Sequence, residues 1–459
     1  MENTDSTILA TALPTIAADL GLDPISLKLA VTSYLVSLAV FIPVSGWVAD
    51  RLGARTTFRI ALAVFMVASI GCAYSSSLAQ FVFWRAVQGV GGAMMVPVGR
   101  MVVVRAVPKH ELVRALSFIA MPALIGPMLG PPLGGLIVTV ADWRWIFFVN
   151  IPIGILGIVL ATLFIPDLKE ETAPLDVRGF LLSAAGLGGL ILGTAMTGRR
   201  IAPPEVVAAC MVVGAACLVG YVFHALRVPR PLLDLRLLRF KTFEAGILGG
   251  TFFRFGVGAS AFLLPLMLQL GFGLDPLSSG LITFAGALGA IAVKPLARAI
   301  LLRFGFRRLL IVNGLAASVI LMGYALFTAS TPHIVIMAVL LCGGFLRSLQ
   351  FTSLSAITYA ELESRQIGAA TGMASVAQQV SISLGVATGA MVLEVSEWVS
   401  GRAHPAAADF SAAFVVVGLV SVVSAVLMVR LPATAGDEIS GRSMPAGEPV
   451  SAPEGPRDR

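Results

Sequence analysis

The chain has 459 residues, 57% of them hydrophobic and only 12% charged, with a mean hydropathy of +0.92. A soluble domain carries roughly 25% charged residues, so this chain lacks the polar surface of a water-soluble fold, and a lipid bilayer is its natural solvent. The formal net charge of +7 raises a nucleic-acid reading, which the placement of the charges removes.

Apolar segments are predicted at 1–20, 27–49, 58–75, 80–104, 113–140, 145–166, 179–198, 205–226, 243–271, 277–300, 308–327, 333–360, 367–394 and 410–431. Most of these fourteen approach the ~20 residues that a spanning helix needs. The loops after even-numbered segments hold eighteen Lys and Arg, against five in the opposite loops (Lys28, Arg144, Arg199, Arg200 and Arg402). That asymmetry places the basic loops and both termini in the cytoplasm. The positive balance is therefore a topology signal that calls for no nucleic acid.

The first segment is short, with an uninterrupted apolar run only at 8–18. Either residues 1–6 complete the helix or the true start lies upstream, and a missing start is expected. Asp5 is the one carboxylate placed inside the bilayer in the first half. Desolvation favours the neutral form of an acid, which makes Asp5 a candidate proton carrier. At the end of the second segment, Gly46, Asp50, Arg51, Gly53 and Arg55 form an ordered group. Gly46 would let a neighbouring helix approach, Asp50 would accept from arginine or helix amides, and Gly53 would make a tight turn. This group would lock the cytoplasmic ends together. In the fourth segment Arg85 lies among apolar residues, where a cation costs ~3 kcal/mol or more. Gln88, three residues on, shares its face. In the fifth, Gly126, Gly130 and Gly134 recur every four residues, with Pro127, Pro131, Pro132 and Gly135 between them. The glycine face allows close helix contact, and the prolines allow bending.

Several features return in order about 252 residues later. Gly21-Leu22-Asp23-Pro24 recurs as Gly273-Leu274-Asp275-Pro276, Leu13-Pro14 as Leu264-Pro265, and the Arg51, Gly53, Arg55 pattern as Arg303, Gly305, Arg307. Arg85 and Gln88 recur as Arg347 and Gln350, and Leu129, Gly130 and Gly134 as Leu384, Gly385 and Gly389. Duplicated apolar halves point to a secondary transporter with its site between them. The reading is 6 + 2 + 6: a six-helix bundle over 1–166, a linker at 167–242 with two extra helices, a second bundle over 243–431, and a disordered cytoplasmic tail at 432–459.

Tyr34, Gln88, Asn150, Arg254, Gln269, Lys294, Arg347, Gln350 and Gln378 are expected to line the cavity. The enclosed charges, Arg85, Arg100, Arg254, Lys294 and Arg347 against Asp5 and a marginal Glu244, make it positive, which favours a neutral, amphiphilic or anionic substrate. Lys294, just before Pro295, is expected to bind freed backbone carbonyls. The four cysteines lie in apolar stretches and the four histidines lack ligand spacing, so neither a metal nor another cofactor is expected. An intramembrane enzyme would need a clustered nucleophile and base, and arginine is a poor acid–base catalyst. A non-transporting scaffold would need an appended domain, which the short tail does not supply.

Together these motifs resemble the major facilitator superfamily, and within it the fourteen-helix drug:proton antiporters. The group from Gly46 to Arg55 resembles the family's loop motif, and Arg85, Gln88, Gly89 and Gly91 its helix 4 motif. The run from Gly126 to Gly135 is similar to the antiporter motif, Asp5 to Pro14 to the helix 1 motif, and WRWIFFVNIPIG at 143–154 to a stretch common in this branch. The resemblance covers residues 1 to about 431. It implies alternating access in a monomer of the bacterial cytoplasmic membrane, with Asp5 and Arg85 coupling protons to export and the helix 5 run acting as hinge. An importer or lipid-handling transporter is the other reading within the fold. Leu302 stands where the second loop motif would carry an acid, so only the first half can form that charge lock.

Overall fold

The computed structural model describes residues 2–106, 129–165, 174–196, 203–229, 231–362, 366–402, 405–432 and 435. Every regular element among them is helical. Eleven are long and apolar enough to cross a membrane, and three shorter apolar helices, Thr7–Asp19, Leu129–Val140 and Pro276–Ala292, accompany them. Eleven plus three is compatible with fourteen crossings. In a bilayer, helices satisfy every backbone group internally, which is why so apolar a chain folds this way.

The first half comprises α1 (Glu2–Asp19), α2 (Lys28–Leu52), α3 (Ala54–Ala73), α4 (Leu78–Ala106), α5 (Leu129–Val140) and α6 (Trp145–Phe164). The inserted pair is α7 (Val177–Met196) and α8 (Pro204–Arg227). The second half comprises α9 (Lys241–Leu266), α10 (Pro276–Ala292), α11 (Phe306–Gly323), α12 (His333–Thr358), α13 (Ile367–Ser400) and α14 (Ala407–Met428). The segment expected at 277–300 is interrupted. After α10 the chain turns at 293–296, where Pro295 removes a backbone donor, and then enters the short helix Ala297–Phe304. Gly126, Pro127 and most of the tail at 432–459 lie outside the described residues.

The repeat reappears in backbone geometry. Gly21 and Gly53 take φ of 65° and 92°, and Gly273 and Gly305, each 252 residues later, both take 70°. Only glycine enters that region without strain, so the same turns are made twice.

The halves meet at the end bearing the α1–α2, α9–α10 and α13–α14 connections, the charge-poor end. There α2 packs along α13, with Leu29 and Ala387 buried together. Lys28 Nζ lies 2.5 Å from Glu394 Oε1, both side chains almost wholly buried. A π-turn, Met267–Gly271, ends α9 and carries Gln269 to the seam, where its Nε2 donates to the Thr11 carbonyl at 2.9 Å. A methyl on Gly135 would strike the backbone of Pro276, and one on Gly280 that of Pro131, so α5 and α10 touch main chain to main chain. At the other, charge-rich end the buried clusters belong to one half each, among the described residues. Ala49, Ala54, Val98 and Val102 form one, and Ala245, Phe253, Phe306, Leu310 and Leu354 belong to another. Among the described residues the halves are joined at one end and parted at the other.

The inserted pair is seated on this seam. Helix α7 packs against α2 of one half, α13 of the other, and α8. Close approach of α7 and α8 depends on glycine: a methyl on Gly189 would stand 2.8 Å from the Cys210 carbonyl oxygen. The outer face of α8 stays uncovered, with Val212 68% exposed, as suits lipid. At the mouth of the hairpin, Asp176 accepts from the Gly179 N–H at 2.9 Å and lies 2.7 Å from His224 Nε2. Burial would raise its pKa, but these partners outweigh burial and hold the carboxylate below its ordinary range.

Removing one member of a buried ion pair costs about 3–5 kcal/mol. Lys28→Ala and Glu394→Ala should each lower the unfolding midpoint of the purified protein, and the exchanged pair K28E/E394K should recover much of the loss, which a thermal melt in detergent checks. A carboxylate depressed by folding stabilises above its unfolded value of about 3.9, and that contribution is lost as pH falls through the folded value. Asp176→Asn should therefore melt below the parent protein at pH 7, with the gap closing in strong acid.

Candidate functional site: a buried charge network in the first half

Four helices bring one polar cluster into the core of the first half. Asp5 of α1 is 4% exposed, Arg85 and Gln88 of α4 are 1% and 0%, and Asn150 of α6 is 4%. Arg85 Nη1 donates to Asp5 Oδ2 at 2.5 Å and also to Gln88 Oε1. The second carboxylate oxygen, Oδ1, accepts from Gln88 Nε2 at 3.1 Å and from Asn150 Nδ2 at 2.8 Å. Gln88 continues to Ser69 Oγ of α3 at 2.8 Å. The guanidinium lies over the ring of Tyr34 on α2, 4.3 Å from its centroid, a geometry that stabilises a cation through the ring's quadrupole.

Local sequence explains the assembly. Arg85 and Gln88, three residues apart, share one face of α4. Glycines open the room beside them: a methyl on Gly89 would lie 2.6 Å from the Tyr34 carbonyl oxygen, and one on Gly91 2.7 Å from that of Ala61. These two positions let α4 approach α2 and α3. The α6 motif anchors its own end, where Trp143 Nε1 donates to Asp19 Oδ2 at 2.9 Å and Arg144 Nη2 to the same atom at 3.0 Å. Chemically, the network can hold Asp5 as an anion against Arg85, or take one proton on the acid and leave the arginine without its countercharge.

The other expected residues fall elsewhere. The mirrored polar faces do not share one hollow. Gln350 is buried inside the second bundle, accepting from Asn313 Nδ2 and donating to the Leu310 carbonyl, both in α11. It turns to α11 as Gln88 turns to α3, because each bundle satisfies its own amides. Arg347 is half-buried and lines a cavity of about 40 Å³ among α9, α11, α12 and α14, to which no first-half residue contributes. Arg254 is 4% exposed on α9, with its guanidinium 5.7 Å from the Phe351 ring. Gln269 is packed in the seam, and Gln378 is half-buried on α13. Lys294 is exposed and donates to Thr352 Oγ1 at 3.0 Å, a hydroxyl across the helix pair in place of freed carbonyls. Glu244 pairs with Lys241 near the start of α9 at 3.2 Å. The Arg100 side chain lies outside what the structure describes.

At the charge-rich end, Gly53 makes the α2–α3 turn, Arg51 lies over Trp47, and Arg55 Nε donates to the Ile165 carbonyl at 2.5 Å. Asp50 is half-buried beside them. A methyl on Gly46 would meet nothing within 4 Å among the described residues. The neighbour expected at Gly46 does not fall among the described residues. The α5 run behaves otherwise: a methyl on Gly134 would come 2.8 Å from the Ile8 carbonyl oxygen, and one on Gly130 would strike Thr7. Gly130, Pro131, Gly134 and Gly135 thus wedge α5 between α1 of its own half and α10 of the other.

Sequence reading did not single out Ser69, or the bond from Lys28 to Glu394. The second had a signal, since each is an isolated charge at the margin of an otherwise apolar segment.

Two bundles with matching turns, joined at one end around buried ionisable groups, define a polytopic membrane transporter. A family model described as the Major Facilitator Superfamily matches residues 2–386 and again 246–452, and the chain belongs to that family. A relative in Escherichia coli O6:H1, "Putative multidrug resistance protein MdtD", is 37% identical over 396 residues, 86% of this chain and 83% of its own. The protein so named in Escherichia coli K12 is 35% identical over 437 residues, covering 94% and 92%. A crystal structure of a D-xylose-proton symporter superposes with a TM-score of 0.69 over 95% of this chain and 96% of its own, at 16% identity, a likeness of fold alone. The chain is an integral membrane transporter, and the enzyme reading is set aside.

Because the obstruction at Gly134 is backbone, no rotamer change can relieve it. Gly134→Val should push α5 off α1 and, by the overpacking rule, destabilise by about 1–3 kcal/mol or more, while Gly46→Ala, facing open space, should leave the melt near that of the parent.

Proposed function

We propose that the protein is a proton-coupled antiporter that exports small amphiphilic compounds across a bacterial cytoplasmic membrane by alternating access. The observation that carries this reading is the buried Asp5–Arg85 pair. An acid wholly inside the membrane, with every visible partner a donor, has one reversible chemistry available, which is gaining and losing a proton. The names of the Escherichia coli relatives support drug-like cargo, and the α5 run supports export in keeping with the antiporter motif it resembles.

With the basic loops assigned to the cytoplasm, the joined end faces outward and the parted end inward. In this inward-facing arrangement Asp5 is deprotonated and held by Arg85, and cargo enters from the cytoplasm. Opening outward exposes the network to the more acidic side. Protonation of Asp5 then removes its charge, weakens its hold on Arg85, and biases the equilibrium back toward the inward-facing state. The group from Gly46 to Arg55 closes the cytoplasmic ends in the outward-facing state, when Gly46 acquires a neighbour. The protein acts as a monomer with both termini cytoplasmic, and its partners are protons, cargo and lipid.

Proteoliposomes with an imposed pH gradient and a dye reporting internal pH test this directly. Asp5→Asn keeps size and most hydrogen bonds but cannot cycle a proton, so it should cut gradient-driven export at least tenfold while cargo counterflow persists. Export by this variant at the parent rate would remove Asp5 from the coupling. Accumulation with the proton, in place of expulsion against it, would make the protein an importer.

A further inference from the structure

The two halves differ at one position that decides the charge of the second. Counting by the repeat, Asp5 corresponds to Gly256 at an offset of 251, that of the Leu-Pro pair, or to Val257 at 252, that of the turns. Arg85 corresponds to Arg347. Gly256, Val257 and Arg347 all line the same cavity of about 40 Å³. The second half has therefore kept the arginine and lost the acid, and both aligned positions border the cavity that Arg347 lines.

Nothing described in the second half replaces that negative charge. Its described carboxylates lie near helix ends and are engaged there: Glu244 with Lys241, Glu361 accepting from the Thr242 N–H, Asp275 capping α10 through the Ser278 N–H, Glu394 with Lys28, Asp409 with Arg402, and Glu397 close to the end of α13. Arg347 makes no hydrogen bond or ion pair among the described residues. Arg254 stands against Phe351, one turn along α12 from Arg347, and its buried Nε and Nη1 also lack a hydrogen-bond partner. Two cations in an apolar bundle, with no acid paired to either among the described residues, call for an anion from outside. The rest of the lining can receive one: Tyr324, Ser260, Ser318 and Ser421 bring hydroxyls to the cavity. The three serines now donate to carbonyls three or four residues back in their own helices and can swing to an outside acceptor.

We infer that this cavity is a receptor for one compact monovalent anion held by Arg347, supplied either as free chloride or as the carboxylate head of an amphiphilic cargo. Its volume of about 40 Å³ admits an ion or a single head group. The site stands apart from Asp5, so it does not rest on the proton-coupling reading.

The test uses the purified full-length protein in detergent and gluconate, at constant ionic strength and pH, with thermal unfolding and tryptophan fluorescence as readouts. Chloride, sodium decanoate and neutral decanamide are titrated separately. Chloride or decanoate should raise the melting midpoint by a few degrees along a saturating curve, and decanamide should not. If chloride saturates and decanoate adds nothing, the anion is a free ion; if decanoate displaces chloride, it is the head group of cargo. Arg347→Gln should abolish the response. Val257→Asp, which supplies an internal carboxylate, should also abolish it while leaving Arg347 in place and the protein monodisperse. Indifference of the parent protein to both anions, an equal response to decanamide, or a parent-like response in Arg347→Gln would overturn the inference. No gradient or transport is involved, so such a failure leaves the role of Asp5 untouched.

Discussion

A charge inside a bilayer must be matched, and the first half of this molecule is organised around that requirement. Arg85 stands in the middle of an apolar helix with the Tyr34 ring beneath it and Asp5 against one of its nitrogens. Asp5 in turn takes hydrogen bonds from Gln88 and Asn150. These contacts draw α1, α4 and α6 to one point, with α2 and α3 closing around them through glycine approaches. Breaking such a pair leaves an uncompensated charge in low dielectric, at a cost of several kcal/mol. The same penalty makes the network sensitive to a single proton. A solvated surface pair would supply no such lever, because water screens it.

Switching also needs the two bundles to part without unfolding. The described contacts between them are backbone against backbone at Gly135 and Gly280, the hydrogen bond from Gln269 to the Thr11 carbonyl, the packing of α2 along α13 at Leu29 and Ala387, and the buried ion pair from Lys28 to Glu394. Inside each bundle large side chains interlock, with Tyr34, Phe65 and Phe81 in one and Phe262, Phe410 and Phe414 in the other almost fully buried. Rigid bundles with a thin seam suit rocking motion, and α7 spans that seam by touching α2 and α13 together. The inserted pair is thus part of the joint, with α8 facing outward.

Duplication supplied the frame and then diverged where chemistry demanded it. The four turn glycines and the two buried glutamines were retained, since turns and bundle amides serve folding equally in both halves. The acid aligned with Arg85 was kept in one half only, so the buried pair of Asp5 and Arg85 has no counterpart at Arg347 among the described residues. The bend at Pro295 and the π-turn at Met267–Gly271 occur in the second half alone among the described residues, further signs that the halves do different work.

Hydropathy, loop charge and the repeat by themselves determined the class of protein and its helices, because burying apolar surface and excluding charge from lipid are rules written one residue at a time. The Asp5 and Arg85 positions were legible for that reason: charge in an apolar run is expensive wherever it occurs. Which charges meet was decided only by the tertiary structure. Pairing depends on helix rotation and packing, so Asn150 and Ser69 joined the network, Lys28 found Glu394 across 366 residues, and Gln350 turned into its own bundle. The sequence likewise could not tell that Arg347 borders an empty hollow, since a vacancy is a property of neighbours that come from four separate helices.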